Sequence, residues 1–122
     1  MKLEFVDINI SKGKPKATIH LSGKLGFNNE AIQFMGLERR PLYKLAKSES
    51  NGDLYLLEVK EENGAAKAAK AGKYFYLNVG DAFDRLELDY KNNTIIFDIT
   101  KESYEGQPLY VLSKRILPRN KQ

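Results

Sequence analysis

Gly23-Lys24-Leu25-Gly26-Phe27-Asn28-Asn29-Glu30-Ala31-Ile32-Gln33-Phe34-Met35-Gly36-Leu37-Glu38 decides how this chain is read. Gly23 follows Ser22 and punctuates the chain, because glycine tolerates backbone angles that other residues avoid. Lys24 to Phe27 then reads as a short strand. Asn28 and Asn29 can cap a helix, since their side chains accept from the free N–H groups of a first turn. Ile32 and Met35 share one face of that helix, with Ala31 and Phe34 beside them. Gly36 suits the left-handed residue that ends it. A helix of about two turns does not hold by itself in water, so it must pack on a sheet.

The same signature returns 49 residues later. Gly72-Lys73 falls on Gly23-Lys24, Phe83 on Phe34, and Leu86-Glu87 on Leu37-Glu38. Asn78 stands before the second helix pattern, whose apolar stripe is Val79, Ala82, Phe83 and Leu86. Further on, Leu54-Tyr55-Leu56-Leu57 meets Leu109-Tyr110-Val111-Leu112 once about six residues are inserted. Each unit reads as strand, Gly-Lys turn, strand, short helix and a closing hairpin. Neither unit alone buries much apolar surface, so the two are expected to share one core.

The remaining elements follow from alternation and turn chemistry. Leu3 to Ile10 reads as an added N-terminal strand, and Lys12-Gly13-Lys14-Pro15 as a turn. Ala17–Leu21, Leu42–Ala46, Leu54–Val59, Lys73–Leu77, Thr94–Thr100 and Leu109–Leu117 read as strands. Asn51-Gly52 favours a hairpin turn. Residues 64–72, rich in Ala and Lys, have helix propensity. The repeat sets Ala66–Lys70 against Ala17–Leu21, so this run is expected to be extended. The prediction is a β-rich α+β fold of pseudo-symmetric tandem β-β-α-β-β repeats. It forms a sheet or partly open barrel with two short helices. Residues 1–117 make a single domain, with repeat one over about 15–60 and repeat two over about 64–117. Residues 2–10 add the first strand and 118–122 form a frayed basic tail.

Composition bounds the function. The chain has 122 residues, 42% apolar and 30% charged, as in a folded globular protein. No apolar run is long enough for a membrane span or a secretory leader, so the expected location is the cytoplasm. With no cysteine and one histidine, thiolate chemistry and histidine metal clusters are excluded. The net charge of +4 comes from the end of the chain: residues 1–113 carry sixteen bases and sixteen acids. Residues 1–60 are net positive and residues 61–113 net negative.

Repeat one resembles the swapped-hairpin, AbrB-like family of transcription regulators. The matching residues are Gly23-Lys24-Leu25, Phe27, Glu30, Ile32 and Met35-Gly36-Leu37, followed by the two strands at 42–46 and 54–59. Asn28 stands where that family commonly has proline, and Glu38-Arg39-Arg40-Pro41 replaces its Gly-Asp turn. Repeat two departs further, with Asp84-Arg85-Leu86 at the helix exit. The resemblance implies a DNA-binding, dimeric protein. At the level of fold alone, duplicated sheet-plus-helix architectures also occur in single-stranded nucleic-acid binders.

Catalytic patterns are lacking in the sequence. His20 has no serine–carboxylate arrangement around it, and Ser22-Gly23-Lys24-Leu25-Gly26 lacks the spacing of a phosphate-binding loop. Asp81 and Asp84 sit where negative charge complements a helix N-terminus. Asp98, between Phe97 and Ile99, belongs on the exposed side of a half-buried strand. No cofactor or metal is implied, and the expectation is a non-enzymatic protein.

Aromatic and basic residues carry more information. Tyr74 and Tyr76 share one strand face and Phe75 takes the other. If Phe75 is core, the tyrosines face outward beside Lys73, where rings stack on bases and ammonium groups meet phosphates. Packing of both rings under a helix is the plainer alternative. Lys12, Lys14, Lys16, Arg39, Arg40, Lys114, Arg115 and Arg119 supply further candidate phosphate contacts, with Lys121 in the same tail. The expected partner is DNA or RNA. The competing expectation is a protein-interaction or structural module that pairs through sheet edges, including a homodimer.

Overall fold

The computed structural model describes residues 1–5 and 13–118. Repeat one comprises β1 (Lys16–Ile19), β2 (Lys24–Phe27), α1 (Asn29–Met35), β3 (Leu42–Lys47) and β4 (Leu54–Val59). Repeat two comprises β5 (Ala66–Lys67), β6 (Ala69–Ala71), β7 (Tyr74–Asn78), α2 (Gly80–Arg85), β8 (Asn93–Tyr104) and β9 (Gln107–Pro118). The tandem ββαββ arrangement is therefore present, with the Ala/Lys run extended as its spacing requires. Leu3–Phe5 lie outside regular structure, and the rest of the expected first strand falls outside the described residues, as do Lys12, Arg119 and Lys121.

The strands form one antiparallel sheet in the order β5-β3-β4-β9-β8-β1-β2-β7-β6. Its two ends belong to one kinked segment, so the sheet nearly closes into a barrel. Ala68 is the kink. It is buried, its N–H donates to the Pro41 carbonyl at 3.0 Å, and its own carbonyl accepts from Arg40 Nε. The repeats exchange strands: β1 pairs with β8 of repeat two, while β5 pairs with β3 of repeat one. β4 pairs with β9 and β2 with β7 at the two junctions.

Alternation fills the interior. Ala17, Ile19, Leu25, Phe27, Tyr43, Leu54, Leu56, Phe75, Leu77, Ile95, Phe97, Ile99, Tyr110 and Leu112 are all buried, and no charged residue joins them among the described residues. Truncating Phe97 to Ala would cost about 3–5 kcal/mol through lost transfer and an unfilled cavity. Phe34 of α1 meets Tyr110 edge-on, with ring centroids 5.9 Å apart, and Tyr43 meets the same ring at 6.0 Å. Tyr43 Oη is buried without a partner among the described residues. No helix among the described residues is long and apolar enough to cross a membrane.

The helices differ at their starts. Asn28 caps α1 as expected: its Oδ1 accepts from Ala31 N at 2.9 Å and from Lys16 N at 3.0 Å, and its Nδ2 donates to the Lys14 carbonyl at 2.9 Å. Gly36 ends α1 in the left-handed region, with φ of 64°. Asn78, by contrast, does not cap α2. It is the last residue of β7, and the cap position belongs to Val79, which makes no side-chain capping bond.

The repeat register also shifts along the chain. The turn glycines Gly23 and Gly72 both have positive φ and are 49 residues apart. The inward pairs Leu25/Phe27 and Phe75/Leu77 are 50 apart. The cap positions Asn28 and Val79, and the left-handed residues Gly36 and Glu87, are 51 apart. The matches of Phe34 with Phe83 and of Leu37-Glu38 with Leu86-Glu87 are thus not structural equivalents. Phe34 is 40% exposed, whereas Phe83 is fully buried.

Candidate nucleic-acid interface

Alternation in β7 settles where its tyrosines point. Phe75 and Leu77 are buried, so Tyr74 and Tyr76 face outward. Tyr74 is 75% exposed, which excludes packing under a helix. Cross-strand register sets Gly26 of β2 directly opposite Tyr76 and Thr18 of β1 directly opposite Gly26. A glycine in mid-strand removes a side chain from the outer face and leaves a notch. His20 overhangs it: a methyl group added at Gly26 would fall 2.3 Å from His20 Nε2.

The result is a groove of about 510 Å³ lined by Thr18, His20, Lys24, Gly26, Phe27, Asn28, Ala71, Tyr74, Phe75 and Tyr76. Gly26 is its floor and the two tyrosines are one wall. Lys24 stands on the same outer face, with Nζ 4.6 Å from the Tyr76 ring centroid. That contact holds the ammonium over the ring at a gain of about 0.5–1 kcal/mol for an exposed pair. No carboxylate lines the groove among the described residues. Asn28, its amide engaged on three sides, ties the start of β1 and the first turn of α1 into a fixed rim.

The basic residues read from the sequence divide by position. Lys73 precedes Tyr74 directly. Lys16 lies on the outer face of β1 two residues from Thr18, in register with Asp98 of β8, and Lys14 leads into the same strand. Arg39 is held elsewhere: its guanidinium pairs with Glu58 Oε1 at 3.1 Å and donates to the Met35 carbonyl. That pairing, together with the Glu58 charge, raises the Arg39 pKa further. Arg40 is committed to the seam at Ala68. Arg115 pairs with Asp98 at 2.8 Å on the outer face of the β8–β9 hairpin, and Lys114 is partly buried near Gly52. These four do not join the groove.

Lys24, Gly26, His20 and Thr18 were not singled out as binding residues in the sequence. Their one local signal was a glycine inside a strand pattern. Of the two helix carboxylates, Asp81 lies in the first turn of α2 as expected, whereas Asp84 accepts from the Tyr90 hydroxyl at 2.8 Å. That bond is the main cause holding the Tyr90 phenol above its ordinary pKa. No group of three or more metal-ligating side chains occurs among the described residues. Comparison with family models, with curated proteins and with solved structures found no match to this chain.

Proposed function

We propose that this protein binds single-stranded nucleic acid, with unpaired bases stacking on Tyr74 and Tyr76. The observation that carries the reading is an outward tyrosine pair on a groove that has a glycine floor and, among the described residues, no carboxylate. Base–aromatic stacking contributes about 1–3 kcal/mol per base and tolerates any sequence, because every base has a π-face. Duplex DNA buries those faces in its own stack, so these rings suit an unpaired strand. Lys24 lines the groove beside Tyr76 and Lys73 precedes Tyr74, which supports ammonium contacts to phosphates there.

The test is fluorescence anisotropy with labelled single-stranded DNA, RNA and duplex DNA at low and near-physiological salt. Single strands should bind in preference to duplex, with affinity falling as salt rises. Replacing Tyr74 and Tyr76 together by Ala should weaken single-strand binding at least tenfold (about 1.4 kcal/mol) without unfolding. Unchanged affinity in that variant would end the stacking role. The duplex arm tests the transcription-regulator reading directly.

A second reading rests on the hairpin. Pairing of β9 with β4 stops at Leu112, and among the described residues nothing pairs with the far edge of Ser113–Pro118. Ile116 and Leu117 there are 50% and 48% exposed. Such an edge can receive another strand, including one from a second copy. Light scattering coupled to size exclusion tests this: a stable oligomer with no nucleic-acid affinity would favour it.

A further inference from the structure

A second groove, of about 680 Å³, lies between α1 and the turn that joins β6 to β7. It is lined on one side by Asn29, Ile32, Gln33 and Gly36, and on the other by Lys70, Gly72 and Lys73. Its remaining charged residues are Glu38 and Arg39, and Arg39 is already matched by Glu58. Lys70 and Lys73 are exposed and have no carboxylate partner among the described residues. Lys70 Nζ instead sits 5.5 Å from the Phe75 ring centroid.

The two grooves adjoin. Phe75 lines both, and three pairs of consecutive residues divide between them: Asn28 and Asn29, Ala71 and Gly72, Tyr74 and Lys73. The first member of each pair faces the tyrosine groove and the second faces this one. The two grooves therefore flank the β6–β7 ribbon and meet at its exposed turn, where the second is a polar trough carrying Lys70, Lys73 and the Glu38 carboxylate. The corresponding place in the other half is shut. There the β1–β2 turn packs against α2, and a methyl group at Gly23 would lie 2.9 Å from Gly80 Cα. At Gly72 the same addition would meet nothing within 4 Å among the described residues.

We infer that the second groove is the phosphate trough of the same binding site: a strand whose bases stack on Tyr74 and Tyr76 continues around the exposed turn at Ala71 and Gly72, and its phosphodiester groups meet Lys70 and Lys73. The inference rests on the reading of the tyrosines as base platforms. It assigns the ligand a minimum length of about four nucleotides, the lower end for a small single-strand domain. It also assigns polarity to the surface, with bases on the β2–β7 side and backbone on the α1 side.

Anisotropy titrations of the full chain with labelled oligothymidylates of about two, four and eight nucleotides test it, each over a range of salt. Affinity should climb from about two to about four nucleotides. Lys70→Gln with Lys73→Gln should weaken binding of the longer strands about tenfold. Each lost phosphate contact removes about 0.7 from the salt slope of single-strand binding, so the double variant should be shallower by about 1.4. Lys60→Gln with Lys91→Gln, exposed positions outside both grooves, should bind as wild type. If wild type binds and Tyr74→Ala weakens it, yet the Lys70/Lys73 variant keeps its affinity and slope, the trough is refuted while the stacking groove stands. An equal loss in the Lys60/Lys91 variant also refutes the trough, because the effect is then one of overall charge. Absence of binding by wild type at low salt refutes the trough and the stacking groove together.

Discussion

Gly23-Lys24 and Gly72-Lys73 make the same turn in the two halves of this molecule and meet different surroundings. Both glycines have positive φ, at 87° and 63°. Gly23 is buried against the backbone of Gly80, while Gly72 is exposed beside an open trough. The turn conformation is local and follows from the Gly-Lys pair. Whether the turn seals the barrel or borders a binding surface depends on what packs above it. One half spends its turn on structure, and the other leaves it facing solvent.

The largest test of that contrast is Gly23→Ala against Gly72→Ala. Both variants force a left-handed alanine, at a cost of about 1–2 kcal/mol. Gly23→Ala also drives its methyl group into Gly80 Cα, which is backbone and cannot swing away. Denaturant unfolding should show a loss of about 3 kcal/mol or more for Gly23→Ala and about 1 kcal/mol for Gly72→Ala. Equal losses would remove the structural distinction between the turns.

A smaller contrast lies at the helix starts. Asn28→Ala removes a cap and two further bonds, and should cost about 2 kcal/mol. Asn78→Ala should change stability by less than about 0.5 kcal/mol, because Asn78 is exposed and caps nothing. The same denaturant series measures both, and comparable costs would contradict the assigned caps.

Alkaline pH separates two tyrosines by environment. Burial pushes the Tyr43 phenol far above its ordinary pKa, with the neighbouring Tyr110 and Glu58 adding to the shift. Burial raises Tyr110 as well. An unfolded chain loses these protons near pH 10. Above about pH 10 the unfolded state therefore binds fewer protons than the native state, and stability falls as pH rises. Below that range the contribution is intact. Thermal melts across alkaline pH should fall less steeply for Tyr43→Phe than for wild type. At neutral pH, Tyr43→Phe should be within about 1 kcal/mol of wild type, since its hydroxyl has no partner to lose. Parallel alkaline curves would show that Tyr43 is not the titrating group.

The smallest stability effect belongs to the groove floor. The methyl group of Gly26→Ala meets the far end of His20, an exposed side chain that can turn outward. Stability should change by about 1 kcal/mol or less, while single-strand affinity drops because the notch is filled. Unchanged affinity would show that the floor is not part of the site.

Much of the architecture was legible because it depends on local chemistry. Lys24–Phe27 and Leu54–Val59 form strands over the residues expected, and Asn28 and Gly36 bracket α1. The repeat was legible too, but its register was not. β7 starts one residue further from its turn glycine than β2 does, and it runs one residue longer. Two extra residues turn a helix by about 200°, so the identical Phe34 and Phe83, matched at a spacing of 49, occupy opposite environments. The outward tyrosines could be read from their alternation with Phe75. The groove floor could not, because the register between β2 and β7 brings Gly26 and Tyr76 together from 50 residues apart. His20 reaches that floor from beyond the end of β1, and a single sequence carries no mark of that approach.

The exchange of strands between repeats has a topological consequence. With β1 seated in repeat two and β5 in repeat one, the halves behave as subunits of a dimer joined by a short tether at residues 60–65. The tether supplies effective concentration rather than contacts. Cutting there should turn a unimolecular fold into a bimolecular one whose stability depends on fragment concentration, with neither fragment able to complete a barrel alone.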